Sequence, residues 1–158
     1  PTVTGLEHDE WGHPSGNAKM HQQMTDKRRN KLVELSKKLP LPEIYGDEEG
    51  EILLVGWGCT YGPIKESINR LRSEGHKVGA IHIRNLHPLP AGLDGIFAKF
   101  KKVMVVEIND SGVYGYGQLA MILRASLADP KIQSLCKTDG LTFRIREIVT
   151  AVEKAIVS

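Results

Sequence analysis

Short apolar runs alternate with segments of helical spacing through most of this chain, and that alternation constrains the fold more than any other feature. Ile52-Leu53-Leu54-Val55, Val78 to Ile83, Val103-Met104-Val105-Val106 and the shorter Ser134-Leu135-Cys136 read as strands. A continuous apolar run of this kind suits a strand covered on both faces. Between them, Ile64, Ile68 and Leu71 share one helical face, with Pro63 at the start and Gly75 at the stop. Leu93 to Phe100 and Gln118 to Leu127 read as two further helices, and Ile145, Ile148, Val149, Val152 and Ile156 stripe a closing one. A parallel crossover needs a covering helix, so the pattern predicts an α/β fold with a largely parallel sheet between helices. Glu43 to Gly46 and Glu51 to Trp57 flank the turn Asp47-Glu48-Glu49-Gly50. That arrangement predicts a hairpin whose first strand runs antiparallel to the second.

Upstream, Met20, Met24, Leu32, Leu35 and Leu39 predict a helix over 18–39, closed by Pro40 and Pro42. Residues 17–38 hold seven Lys or Arg against two acids, a local +5; with +2 overall, the remainder carries −3. Such a block is either a solvated helix face or an attractor for an acidic partner or anionic ligand. No aromatic residues interleave it, which argues against nucleic acid. The expected organisation is a contact segment and basic helix over 1–41 joined to an α/β domain over 42–158, in one compact domain. The 41% apolar and 25% charged composition is that of globular material. No window approaches the roughly 18 apolar residues of a membrane span, and the start lacks a signal-peptide pattern. Cys59 and Cys136 are too few for a self-contained iron–sulfur site and read as reduced thiols of a cytoplasmic protein. The chain opens on Pro1 with no initiator Met, as a piece excised from a longer polypeptide would.

In parallel sheets, function gathers beyond the carboxyl ends of the strands. Three loops qualify: Gly56 to Gly62, Arg84 to Pro90, and Glu107 to Gln118. They are expected along one edge. The first, with Gly58, Thr60 and Tyr61, invites a nucleotide, but Gly56, Gly58 and Gly62 are spaced one residue too far for the dinucleotide pattern. The next strand also ends at Arg84, where a ribose-binding acid is expected. Glu107 and Asn109 form either an acid/base pair or a helix cap, with no nucleophile–base couple beside them. Gly117 and Gln118 stand where the third loop meets its helix, at a point where a side chain would obstruct close approach.

The leading segment holds Glu7, His8, Asp9, Glu10, Trp11 and His13. It lacks the i, i+4 helical pair that presents two ligands to one ion, so a contact surface is preferred to a metal site. Trp11 is the natural anchor of such a surface.

Gly5-Leu6-Glu7-His8-Asp9-Glu10, followed by a helix with Asp26-Lys27-Arg28 and Lys31-Leu32, resembles the entry into the last domain of the α subunit of 2-oxoacid:ferredoxin oxidoreductases. The likeness continues through Ile52 to Gly58 with Thr60 and Gly62, and Leu86-His87-Pro88-Leu89-Pro90. Val105-Val106-Glu107 with Asn109, Tyr116-Gly117-Gln118-Leu119, and Lys137-Thr138-Asp139-Gly140 extend it along essentially the whole chain. More distantly, the chain is similar to the third domain of transketolases. The resemblance implies a five-stranded mixed sheet between helices, with its first strand antiparallel to the rest. It also implies oxidative decarboxylation of a 2-oxoacid, 2-oxoglutarate being the most similar type, with coenzyme A to acyl-CoA and reduced ferredoxin. In that family thiamine diphosphate and Mg²⁺ are held by the preceding α-subunit domain and the β subunit, which also carries the iron–sulfur cluster. No Gly-Asp-Gly diphosphate motif occurs here, so the implied module is non-catalytic, binds no cofactor itself, and contacts the β subunit and the preceding domains. Ferredoxin and coenzyme A are then partners only through the complex. Cys59 departs from the small hydroxyl residue of the family pattern. The alternative is a free-standing nucleotide or small-molecule binder using the same loops.

Overall fold

The computed structural model describes residues 4–157. The chain divides into two compact units, one taking in the chain up to Pro40 together with His87–Ala91, the other Leu41–Leu86 with Gly92 onward.

The larger unit is a five-stranded sheet with strand order β1-β3-β2-β4-β5. Its strands are β1 (Tyr45–Gly46), β2 (Gly50–Gly56), β3 (Val78–His82), β4 (Phe100–Glu107) and β5 (Ile132–Cys136). β2 is central because Ile52, Leu53, Leu54 and Val55 are all 0% exposed, which requires cover on both faces and neighbours on both sides. It pairs in parallel with β3 (Leu54 opposite Ala80) and with β4 (Leu54 opposite Met104); β4 pairs in parallel with β5. Ile52, Leu54, Met104 and Val106 join one core with Ile64, Ile68 and Leu71 of α2 (Tyr61–Ser73) and Ile148 and Val152 of α5 (Ile145–Val157). Leu53, Val55, Val103 and Val105 point to the opposite face by the two-residue period of a strand. The crossover from β2 moves one way along the sheet and that from β4 the other, so right-handed connections place α2 and α4 (Gln118–Leu127) on opposite faces. α3 (Leu93–Phe97) and α4 contact β4, completing three layers.

The expected antiparallel first strand is present, but the hairpin is not. β1 pairs with β3, Tyr45 opposite Ala80, and β2 lies one strand further in. Asp47 decides this locally. Its backbone N–H donates to Val78 O (3.0 Å), and its carboxylate accepts from Val78 N (3.2 Å) and Arg72 Nε (3.0 Å). The turn is thereby spent on β3 instead of folding β1 back onto β2. Two boundaries also differ: a 3₁₀ turn over Gly58–Thr60 lets α2 begin before Pro63, and Phe100 opens β4 where a helix end was expected. Gly75, at φ +94°, stops α2 as anticipated.

The smaller unit is built on α1 (Ala18–Lys38), whose N-cap Asn17 accepts from Met20 N at 3.1 Å. Ser36 Oγ donates to Leu89 O (2.5 Å) and Ala91 N donates to Ser36 O (3.1 Å), tying in a segment with a cis His87–Pro88 bond. None of the 21 residues of α1 is buried.

Candidate functional site

β2, β3 and β4 are parallel, so the loops after them all leave from one edge of the sheet. This is also where the order of connection reverses, between β2 and β4. In other α/β sheets that crevice holds ligands. Here the chain's own Glu107 takes the α4 N-terminus on the β4 side, while Trp57 Nε1 and His82 Nδ1, at the ends of β2 and β3, are buried without a hydrogen-bond partner.

Glu107, at the last position of β4, is 0% exposed. Its carboxylate accepts from Leu119 N and Ala120 N, both at 3.0 Å, and so caps the first turn of α4. This is the anion position of a helix N-terminus, taken by the protein's own carboxylate. Gly117 explains how the carboxylate fits: a Cβ there would run into the Glu107 carboxyl group and Cys136 Sγ. The close approach anticipated at Gly117 is therefore made by Glu107, twelve residues from Leu119 in sequence but one hydrogen bond away. Gly117 N also donates to Ser134 Oγ at 2.9 Å, fixing the loop to β5. Asn109 Oδ1 accepts from its neighbour Asp110 N at 2.9 Å, and Gln118, on the first turn of α4, is exposed.

The loop after β2 is pinned in a similar way. Thr60, 2% exposed, accepts from Trp57 N (3.1 Å) and donates to Trp57 O (2.9 Å). A Cβ on Gly56 would strike Ile64 Cδ1 and Thr60 Oγ1, so the glycine serves close packing of α2 on the strand end. Gly58 lies in the left-handed region at φ +59°, and Cys59 is exposed. Tyr61 is half exposed and packs edge-on to His82, ring centroids 5.2 Å apart. Burial and nearby Arg84 lower the His82 imidazole from its ordinary value.

The leading segment is an ordered turn. Asp9 N donates to His13 O (2.8 Å) and Ser15 N to Glu7 O (2.9 Å), while the Asp9 carboxylate accepts from Trp11 N and His13 N, both at 2.9 Å. Glu7 receives Arg28 in a two-point ion pair at 3.0 and 2.6 Å. That pair and the His8 amide lower the Glu7 carboxyl to about 2. Bonds from the His13 and Trp11 amides hold Asp9 below its ordinary value, with His13 Nδ1 at 3.5 Å. His8 faces Pro14 across an isolated bridge. Glu7 and Asp9 are thus committed to shaping the turn, which presents Trp11 79% exposed at its tip. Among the described residues no three His, Cys, Asp or Glu side chains group as a metal-ligand set. His87, exposed, and Pro88 belong with the α1 unit and not with the other two strand-end loops.

Sequence reasoning singled out Lys137 and Asp139 only as part of a motif, and passed over Glu147. Lys137 Nζ, on a side chain 9% exposed, reaches both oxygens of Glu147 (2.9 and 2.8 Å) and Asp139 (3.4 Å), joining the loop after β5 to the start of α5. It also missed two exposed neighbours in the glycine-rich loop after β4, Val113 (92%) and Tyr114 (78%).

A three-layer domain with a reversed edge strand has the architecture of a transketolase third domain. A split-gene transketolase shows that fold, with TM-score 0.58 and 17% identity over 73% of this chain and 42% of that one. The chain belongs to the pyruvate:ferredoxin oxidoreductase core domain II family, whose model matches residues 50–148. It is 34% identical, over 98% of its length, to 2-oxoacid:ferredoxin oxidoreductase 2, subunit alpha, of Aeropyrum pernix, covering 24% of that protein. It aligns with TM-score 0.85 and 34% identity to 2-oxoglutarate:ferredoxin oxidoreductase from Magnetococcus marinus, solved with 2-oxoglutarate, coenzyme A and succinyl-CoA bound; 98% of this chain and 26% of that one are covered. The chain spans about a quarter of the length of these relatives.

Proposed function

We propose that this chain is the C-terminal domain of the α subunit of a cytoplasmic 2-oxoacid:ferredoxin oxidoreductase, of the 2-oxoglutarate type. The complete enzyme converts a 2-oxoacid and coenzyme A to acyl-CoA, passing electrons to ferredoxin. This domain supplies contacts to the β subunit and to the preceding α-subunit domains. The Magnetococcus relative supports 2-oxoglutarate as substrate and a coenzyme A-dependent reaction.

One observation supports the non-catalytic role: the α4 N-terminus, where such a sheet can hold a phosphate, is occupied by the Glu107 carboxylate, for which Gly117 leaves room. A thiamine diphosphate–Mg²⁺ group does not fit there, because its negative phosphates would have to displace a buried carboxylate. The two cysteines, on separate strand-end segments, do not make a cluster site. Thiamine diphosphate, Mg²⁺ and the iron–sulfur cluster therefore belong to other parts of the enzyme.

The purified 158-residue chain, given 2-oxoglutarate, coenzyme A, thiamine diphosphate, Mg²⁺ and a low-potential electron acceptor, is expected to show no turnover. Nucleotides and coenzyme A are expected to leave its melting temperature unchanged. Turnover would overturn the assignment of catalysis to the neighbouring parts. Saturable thermal stabilisation by a nucleotide would favour a free-standing binder, since a ligand bound only by the native state must stabilise it.

A further inference from the structure

His82 closes β3, and its ring holds a buried nitrogen that nothing in the chain answers. Nδ1 is sealed from solvent and has no hydrogen-bond partner, while the residue as a whole keeps some exposure. Two elements enclose it. Tyr61, the first residue of α2, stands edge-on to the ring, 5.2 Å between centroids. Gly56, at the end of β2, lies on another side: a Cβ there would come 3.6 Å from Nδ1 while striking Ile64 and Thr60. His82 is thus wedged beside the start of α2, where the chain turns from strand to helix. Tyr61 is itself 50% exposed, so a single ring covers the imidazole on that side.

A neutral imidazole suits this seat. With its hydrogen on Nε2, Nδ1 is a bare lone pair, and an unanswered acceptor costs less than an unanswered cationic N–H. A second proton would put charge where no acceptor waits. The surroundings oppose it as well. Arg84 lies two residues further along the chain, and Lys65, on the first turns of α2, holds Nζ 5.9 Å from the Tyr61 ring centroid and 5.0 Å from that of Tyr45. Neither cation is paired with a carboxylate of a described residue. The nearby carboxylates are engaged elsewhere or out of reach. Glu66 holds Arg70, Glu147 of α5 holds Lys137, and Glu43, ahead of β1, is exposed and makes no bond to Nδ1. The Cys59 thiol, on the same loop as Tyr61, is exposed.

We propose that His82 and Tyr61 form a proton-operated latch on the loop between β2 and α2. The neutral ring is seated beside Tyr61; the protonated ring leaves its seat and frees Tyr61 and the first turn of α2. Each opening takes up one proton from solvent at Nδ1, and each closing returns it. Burial and Arg84 lower the seated imidazole, whereas the released ring has the ordinary value of 6.5. The seat is therefore fully stable above 6.5 and weakens as pH falls from there toward the lower value. The latch lies wholly within the larger unit and does not depend on the subunit role proposed above.

The test follows the complete enzyme by hydrogen exchange and mass spectrometry between about pH 7.5 and about pH 5. Exchange of the His82 ring-carbon hydrogen gives the midpoint of its protonation. Amide exchange in peptides spanning 57–66, corrected for the intrinsic rate, gives the opening of the loop. A His82 midpoint below 6.5 is expected. Loop opening should rise about threefold or more as pH falls through the same interval, while peptides over β2 and β4 keep their protection. His82→Phe fills the seat with a ring that takes no proton and is expected to abolish that rise. Tyr61→Ala is expected to speed exchange over 57–66 at every pH and to return the His82 midpoint toward 6.5. A midpoint at or above 6.5, loop exchange that does not follow it, or a rise of unchanged size in His82→Phe would overturn the proposal. Should His82→Phe fail to fold, an unmoved His82 midpoint in Tyr61→Ala would overturn it equally.

Discussion

Glu107 shows how one side chain settles the character of a site. At a strand end beside Asn109, a carboxylate is compatible with acid/base chemistry or with capping, and the sequence supports both readings. The structure commits both of its oxygens to the amides of Leu119 and Ala120. Sequence spacing cannot supply that fact, because it depends on how the loop over 108–117 returns to the sheet. Glu107→Ala leaves two buried amides without partners and is expected to cost about 2–4 kcal/mol of folding stability, read by urea unfolding. Gly117→Val places a branched side chain against the same carboxylate and Cys136 Sγ, and is expected to destabilise by about 1–3 kcal/mol or more. Either variant folding with wild-type stability would show that this cap does not hold the loop.

Glu7 gives a pH-dependent counterpart in the small unit. Its carboxyl falls from the usual 4.5 to about 2 in the folded state, mainly through Arg28. A lowered carboxylate contributes stability that is complete above 4.5 and is lost as pH falls toward 2. Protection of the Asp9 and Ser15 amides from hydrogen exchange, corrected for the intrinsic exchange rate, should therefore decline across that interval. In Glu7→Gln it should be lower at neutral pH and lose the part of this dependence that Glu7 supplies. A decline of equal size in Glu7→Gln would place the titrating group elsewhere, with Asp9 the neighbour to examine.

At the level of elements, strands with continuous apolar runs and helices with clear stripes were legible, since each local pattern serves the same buried layer in the structure. β2, α2 and α5 are the plainest cases. β1 was legible in direction and not in partner. Two strands flanking a four-residue polar turn look like a hairpin, but β2 already has β3 and β4 beside it, and Asp47 fastens the turn to Val78 and Arg72. The leading segment was legible as a surface and not as a turn. Its order comes from Asp9 accepting two amides, a local device that removes much of the need for a partner to hold it.

Lys137 is the element-scale junction that the sequence least announced. Holding Glu147 through both oxygens raises the Lys137 ammonium above its ordinary value and lowers the Glu147 carboxyl. Lys137→Met is expected to lower the melting temperature and to speed exchange at the Arg144 and Glu147 amides at the start of α5. Unchanged exchange there would mean that α5 is fixed by Ile148 and Val152 alone.

For the whole molecule, a helix with no buried residue and a strand end capped by Glu107 agree with the subunit-contact role proposed above. The large unit has a core of its own, whereas α1 has none, and isolated helices of this size are marginal in water. The exposed Trp11, Val113 and Tyr114 point the same way, because large aromatic and apolar side chains are favoured as interface anchors. On the proposed reading, damage to these positions should affect association and spare the chemical step. The most direct measurement is the rate of succinyl-CoA formation per active site in the complete enzyme, taken over a wide range of enzyme concentration for wild type and for Trp11→Ala. The expected result is a loss of activity in Trp11→Ala on dilution, with wild-type turnover recovered at high concentration. A turnover reduced equally at every concentration, with subunit association unchanged, would contradict the account and place this chain within the catalytic machinery.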